Sequence, residues 1–167
     1  MRIEEGIAAA VECKKRVRDV YAEALKEASN PVGRRVYQLL TDEEQQQIDY
    51  LLEKLEQWES SGRIETDQFE ATPYSEDEIA RCAVHLKSNL PPRDEQCELN
   101  ILRRAMVVDG EVTEFLKKLK DDIPDDAREI FKQFIKIEEG HAKVLQAEID
   151  SIENTGFWFD IREFILE

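Results

Sequence analysis

Six residues carry polar groups where an amphipathic helix calls for an apolar side chain: Lys14, Glu44, Gln47, Asp109, Glu138 and His141. They fall in two similar layouts. Lys14 precedes a turn at Asn30-Pro31, and Glu44 and Gln47 follow it; Asp109 precedes a turn at Ile123-Pro124, and Glu138 and His141 follow it. Three carboxylates and an imidazole are the donor set of a metal centre, and they suit iron, manganese and zinc alike. The spacing of Glu138 and His141 stacks a carboxylate and an imidazole one helical turn apart on one face. Lys14 and Gln47 weaken that chemistry. A protonated lysine offers donors only, and a glutamine offers at most a weak amide oxygen. Asp109 is one methylene shorter than Glu, which handicaps bridging between two ions. One ammonium against three carboxylates leaves two negative charges, a match for one divalent cation and too few for two.

The elements that must position these groups are helices. Apolar residues recur at steps of three and four. The first stripe is Ile7, Val11, Lys14, Val17, Tyr21 and Leu25, on a helix over about 3–28 that ends at Asn30-Pro31. The second helix, about 32–60, carries Val36, Leu40, Glu44, Gln47, Leu51, Leu55 and Trp58. After a connector to about 94, a third helix over about 95–121 turns Ile101, Ala105, Asp109, Val112, Leu116 and Leu119 inward. A fourth, about 125–154, does so with Phe131, Phe134, Glu138, His141, Leu145 and Ile149. Lys14 lies about 16 residues before the first turn, and Glu44 and Gln47 about 15 after it; Asp109 lies about 14 before the second, and Glu138 and His141 about 16 after it. With a rise of about 1.5 Å per residue, all six reach one level, roughly 20–25 Å from the turns.

Length and composition agree with this reading. A chain of 167 residues is one domain's worth of core, read here as a single unit: hairpin 1 over about 3–60, crossover 61–94, hairpin 2 over 95–154 and tail 155–167. Only six Gly and five Pro, with 37% charged residues, favour helices over turn-rich strands. The net charge of −15 argues against nucleic-acid phosphates as partners. No apolar run approaches the roughly 20 residues of a membrane span. The opening Met1-Arg2-Ile3-Glu4-Glu5 starts an amphipathic helix and lacks a signal peptide's apolar core. Cys13, Cys82 and Cys97 form no CxxC pair, so neither a disulfide framework nor a thiolate metal site is expected, and a cytoplasmic location is the natural reading.

Two hairpins joined by one long crossover, between helices 2 and 3, describe an all-α antiparallel four-helix bundle of the ferritin-like kind. Within that superfamily the chain resembles the rubrerythrin-like branch. Tyr21-Ala-Glu-Ala-Leu-Lys-Glu-Ala-Ser-Asn-Pro31 with Asp42-Glu-Glu-Gln-Gln-Gln47 is similar to the family's first hairpin. Ala105-Met-Val-Val-Asp109 through Ile137-Glu-Glu-Gly-His141 is similar to its second, and Glu153 to Asp160 looks like a C-terminal extension of some members. The resemblance covers nearly the whole chain, the crossover in length alone, and no rubredoxin-like CxxC module is present.

The resemblance implies a di-iron site built from two Glu and two Glu-x-x-His pairs. Its ligand positions fall on Lys14, on Glu44 with Gln47, on Asp109, and on Glu138 with His141. Three keep the family's residue type, Asp109 is shortened, and Lys14 and Gln47 are lost. The expectation is therefore a degenerate di-iron site on Glu44, Asp109, Glu138 and His141, binding one divalent metal (iron, manganese or zinc) or none, and not an efficient oxidase. Three states stay open: a metal-free network in which Lys14 pairs with Glu44 or Glu138, a single metal on Asp109, Glu138 and His141, and a working two-metal site. The last would make the protein a peroxide reductase or ferrous oxidase with an unspecified electron donor. A metal-free interaction scaffold is the third functional class, and the resemblance implies a homodimer.

Other features are read as structural. Cys82 and His85 share a predicted crossover helix, but no second ligand pair accompanies them. Cys13 neighbours Lys14, though consecutive helical residues point about 100° apart. Tyr21 is assigned to core packing over lending its hydroxyl to the site. Phe157, Trp158, Phe159 and Phe164 form an aromatic tail that caps the bundle or meets a second copy.

Overall fold

The computed structural model describes residues 1–67, 69 and 95–158. Within them lie four helices and no strand: α1 (Ile3–Glu27), α2 (Pro31–Ser61), α3 (Glu95–Asp122) and α4 (Asp125–Thr155). These bounds differ from the sequence expectation by a residue or so at each end. The predicted crossover helix, with Cys82 and His85, lies outside the described residues, as do Phe159 and Phe164 of the tail.

Local chemistry sets the ends. Asn30 caps α2, its Oδ1 accepting the Val32 N–H at 2.8 Å, with Pro31 in the first turn where its missing N–H costs nothing. Helices α2 and α4 stop at Gly62 (φ 65°) and Gly156 (φ 78°), left-handed positions that a side chain would strain. Each glycine N–H returns to a carbonyl four residues back, Trp58 and Ile152 respectively.

The predicted apolar stripes converge. Ile7, Val17, Tyr21, Leu40, Leu51, Leu102, Leu116, Phe131, Phe134 and Leu145 are buried in one core. Helix α1 packs on α2 and on α3, and α3 packs on α4. This is an all-helical arrangement consistent with a four-helix bundle. None of the described helices is long and apolar enough to cross a membrane.

Three fastenings hold the ends of this core. Glu98 of α3 reaches the α1–α2 turn, where its Oε1 accepts from the Ser29 N–H and Oγ at 2.9 Å and the Asn30 N–H at 3.1 Å. Past α2, buried Lys54 pairs with Asp67 at 2.5 Å while lying 4.8 Å from the Tyr50 ring centre. Phe69 then packs edge-on against Tyr50 and Phe134, and its N–H donates to Gln133 Oε1 at 3.0 Å. At the other end Trp158 covers Gly33 so closely that a Cβ there would lie 2.7 Å from its ring, and it meets Tyr37 edge-on. That part of the aromatic tail caps the core.

Candidate metal centre

All six singled-out residues are fully buried, as their places on the apolar stripes require. Lys14 comes from α1, Glu44 and Gln47 from α2, Asp109 from α3, and Glu138 and His141 from α4. They do not form one shell. Glu44, Glu138 and His141 converge, with one donor atom from each within 4.8 Å of the others. His141 Nδ1 stands 3.3 Å from Glu44 Oε1 and 3.9 Å from Glu138 Oε1.

Lys14 enters the same space. Its Nζ is 3.3 Å from Glu44 Oε2 and contacts Glu138 Oε1, with the Phe134 ring 5.5 Å beneath it. The ammonium therefore pairs with both carboxylates, where the sequence pointed to one or the other.

Asp109 stands apart from the convergent three. The Tyr21 hydroxyl donates to its Oδ1 at 2.8 Å, so Tyr21 serves the polar cluster as well as the core. The donor atoms that converge are those of Glu44, Glu138 and His141, where one of the sequence expectations grouped Asp109 with Glu138 and His141. Gln47 holds the least favourable place, since neither amide atom finds a hydrogen-bond partner among the described residues despite complete burial.

The electrostatics follow from burying so many charges together. Burial pushes the Glu138 carboxyl up to about 8, helped by the neighbouring Glu44 charge and opposed by Lys14 and His141. Burial would also raise Glu44, but Lys14 and then His141 hold it below its ordinary value. Burial disfavours charge on Lys14 and His141, yet the carboxylates win in both: Glu138 and Glu44 raise Lys14, and Glu43 and Glu44 hold His141 well above an ordinary imidazole. Asp109 is raised by burial, against the pull of His141 and Tyr21. Opposite shifts in Glu44 and Glu138 mark one site under strong mutual influence.

No family model, curated protein or solved structure matches this chain.

Glu43, beside Glu44 on α2, is 7% exposed, and its Oε2 lies 2.8 Å from His141 Nε2. Its spacing carries a signal, three residues after Leu40 and four before Gln47, so a wider inward stripe on α2 takes it in. Buried Glu98 and Glu148 are found in the same way, by extending the inward stripes of their helices. Cys13 is a free thiol. Burial pushes the Cys13 thiol up, outweighing the opposing Lys14 charge, which agrees with an unreactive role.

Proposed function

We propose that the chain is a rubrerythrin-like protein of the ferritin-like kind whose two-metal site has become a one-metal site. Glu44, Glu138 and His141 Nδ1 would hold one divalent transition metal, and the Lys14 ammonium stands in for the second cation. The observation that carries this reading is the placement of Lys14 against both Glu44 and Glu138. Two carboxylates and an imidazole fit a single borderline dication such as iron, manganese or zinc. A second ion would have to share Glu44 and Glu138 with a fixed positive charge. It would have only Asp109 and Gln47 to complete its shell. The residues present thus fit one metal and do not fit two.

Lys14 also makes a metal-free state tenable, since it satisfies carboxylates that would otherwise be buried alone. That observation supports a second reading, in which the network is purely structural and the protein serves as an interaction scaffold. Metal analysis after anaerobic reconstitution with excess ferrous iron separates the readings. One iron per chain is expected. Two irons, with an oxo-bridge absorption band after exposure to oxygen, would restore the oxidase reading, and no retained iron, manganese or zinc would leave the scaffold.

A further inference from the structure

His141 is gripped from two sides by consecutive residues of α2. Glu44 Oε1 lies 3.3 Å from its Nδ1, and Glu43 Oε2 lies 2.8 Å from its Nε2. Neighbouring helical residues diverge by about 100°, so this bracket requires the imidazole edge to lie against the helix surface between the two side chains. Both ring nitrogens face carboxylate acceptors, so in the metal-free chain both can carry hydrogen. A metal at the edge shared by Glu44 and Glu138, where the donor atoms converge, would replace the hydrogen on Nδ1, and Glu43 would accept the one that stays on Nε2.

We infer that Glu43 is a positioning residue for the metal site, fixing the His141 ring so that Nδ1 completes a three-donor face with Glu44 and Glu138. This rests on the one-metal reading above. It adds a specific division of labour, with one α2 carboxylate binding the metal and the next one orienting the imidazole. The outer partner of a metal-bound histidine sets ring orientation and ligand basicity, and its loss typically costs about 10–100-fold in affinity. Because the oriented donor is a nitrogen, the selectivity controlled by Glu43 is for transition dications over magnesium or calcium, which take oxygen donors.

A purely structural ion pair between Glu43 and His141 would predict different behaviour, and cobalt(II) titration distinguishes the two. Glu43→Ala is expected to weaken cobalt(II) binding by about 10–100-fold. Glu43→Gln keeps an acceptor oxygen without the charge and is expected to recover most of that loss. Equal affinity in wild type and Glu43→Ala would overturn the role of Glu43 while leaving the one-metal reading intact. Absence of cobalt(II) or zinc binding in the wild type would overturn that reading and this inference with it. Should Glu43→Ala fail to fold, nitrogen NMR of zinc-loaded wild-type protein decides. Zinc on Nδ1 with hydrogen on Nε2 is expected, and the reverse assignment would overturn the inference.

Discussion

Lys14 Nζ lies 3.3 Å from Glu44 Oε2 and also contacts Glu138, so one buried ammonium meets carboxyl groups from two different helices. Removing it should be costly. Lys14→Met leaves two buried carboxylates facing one another, and metal-free protein should lose about 3 kcal/mol or more of stability. Added zinc should restore much of the loss by replacing the missing charge. Denaturant melts with and without metal test this; an unchanged midpoint in the metal-free protein would count against the ion-pair network.

Restoring the missing donors should restore the missing ion. Lys14→Glu combined with Gln47→His is expected to raise iron content from one to two per chain. Metal analysis of the double variant is the measurement, and an unchanged stoichiometry would refute the assignment of those two positions.

The positions of all six polar residues were legible in the sequence because burial on a helix is a matter of period. Lys14, Glu44, Gln47, Asp109, Glu138 and His141 each occupy a stripe position, and each is buried. Their pairing was less legible. Spacing puts Asp109 and Glu44 at one level and does not tell which donor atoms converge with His141, nor that the Tyr21 hydroxyl donates to Asp109 at 2.8 Å. Glu43, three residues after Leu40 and four before Gln47, sits at the edge of the inward face of α2, and its contact with His141 depends on how α4 is laid against it. Periodicity reports which face is covered and says nothing of the angle at which the covering helix arrives.

Stability without metal should fall as pH rises. Glu138 holds its proton to about 8 in the folded chain against an ordinary 4.5, so its stabilising contribution is present below 4.5 and is lost as pH climbs toward 8. His141, raised well above 6.5, acts in the same direction: its contribution is present below 6.5 and disappears as pH passes its folded value. Metal binding requires deprotonated ligands and so strengthens with pH. Thermal melts between about pH 5 and 9 should slope downward for metal-free protein, and added zinc should narrow or reverse the decline. A metal-free midpoint that rises across that interval would contradict the assigned shifts.

Tyr21→Phe should cost about 1–3 kcal/mol by stripping Asp109 of its hydroxyl partner. Zinc stoichiometry should stay at one, because Asp109 lies outside the convergent three. If stoichiometry falls with Tyr21→Phe, Asp109 takes part in binding after all.

Gln47→Met should stabilise the metal-free protein by about 1 kcal/mol or more, since it removes two buried amide atoms that have no hydrogen-bond partner among the described residues. Calorimetric or chemical unfolding provides the check. A marked loss of stability would show that the amide serves a partner beyond the protein's own groups.

The Lys14 ammonium differs from a bound ion in one further respect. It is tethered to the backbone, so it has no dissociation equilibrium with the medium and cannot be diluted or chelated away. A bundle that relied on two exchangeable ions would have its folding tied to metal supply. On the one-metal reading, with one of those charges made part of the chain, assembly of the core is released from that dependence, and occupancy of the remaining position would vary with external metal while the fold persists.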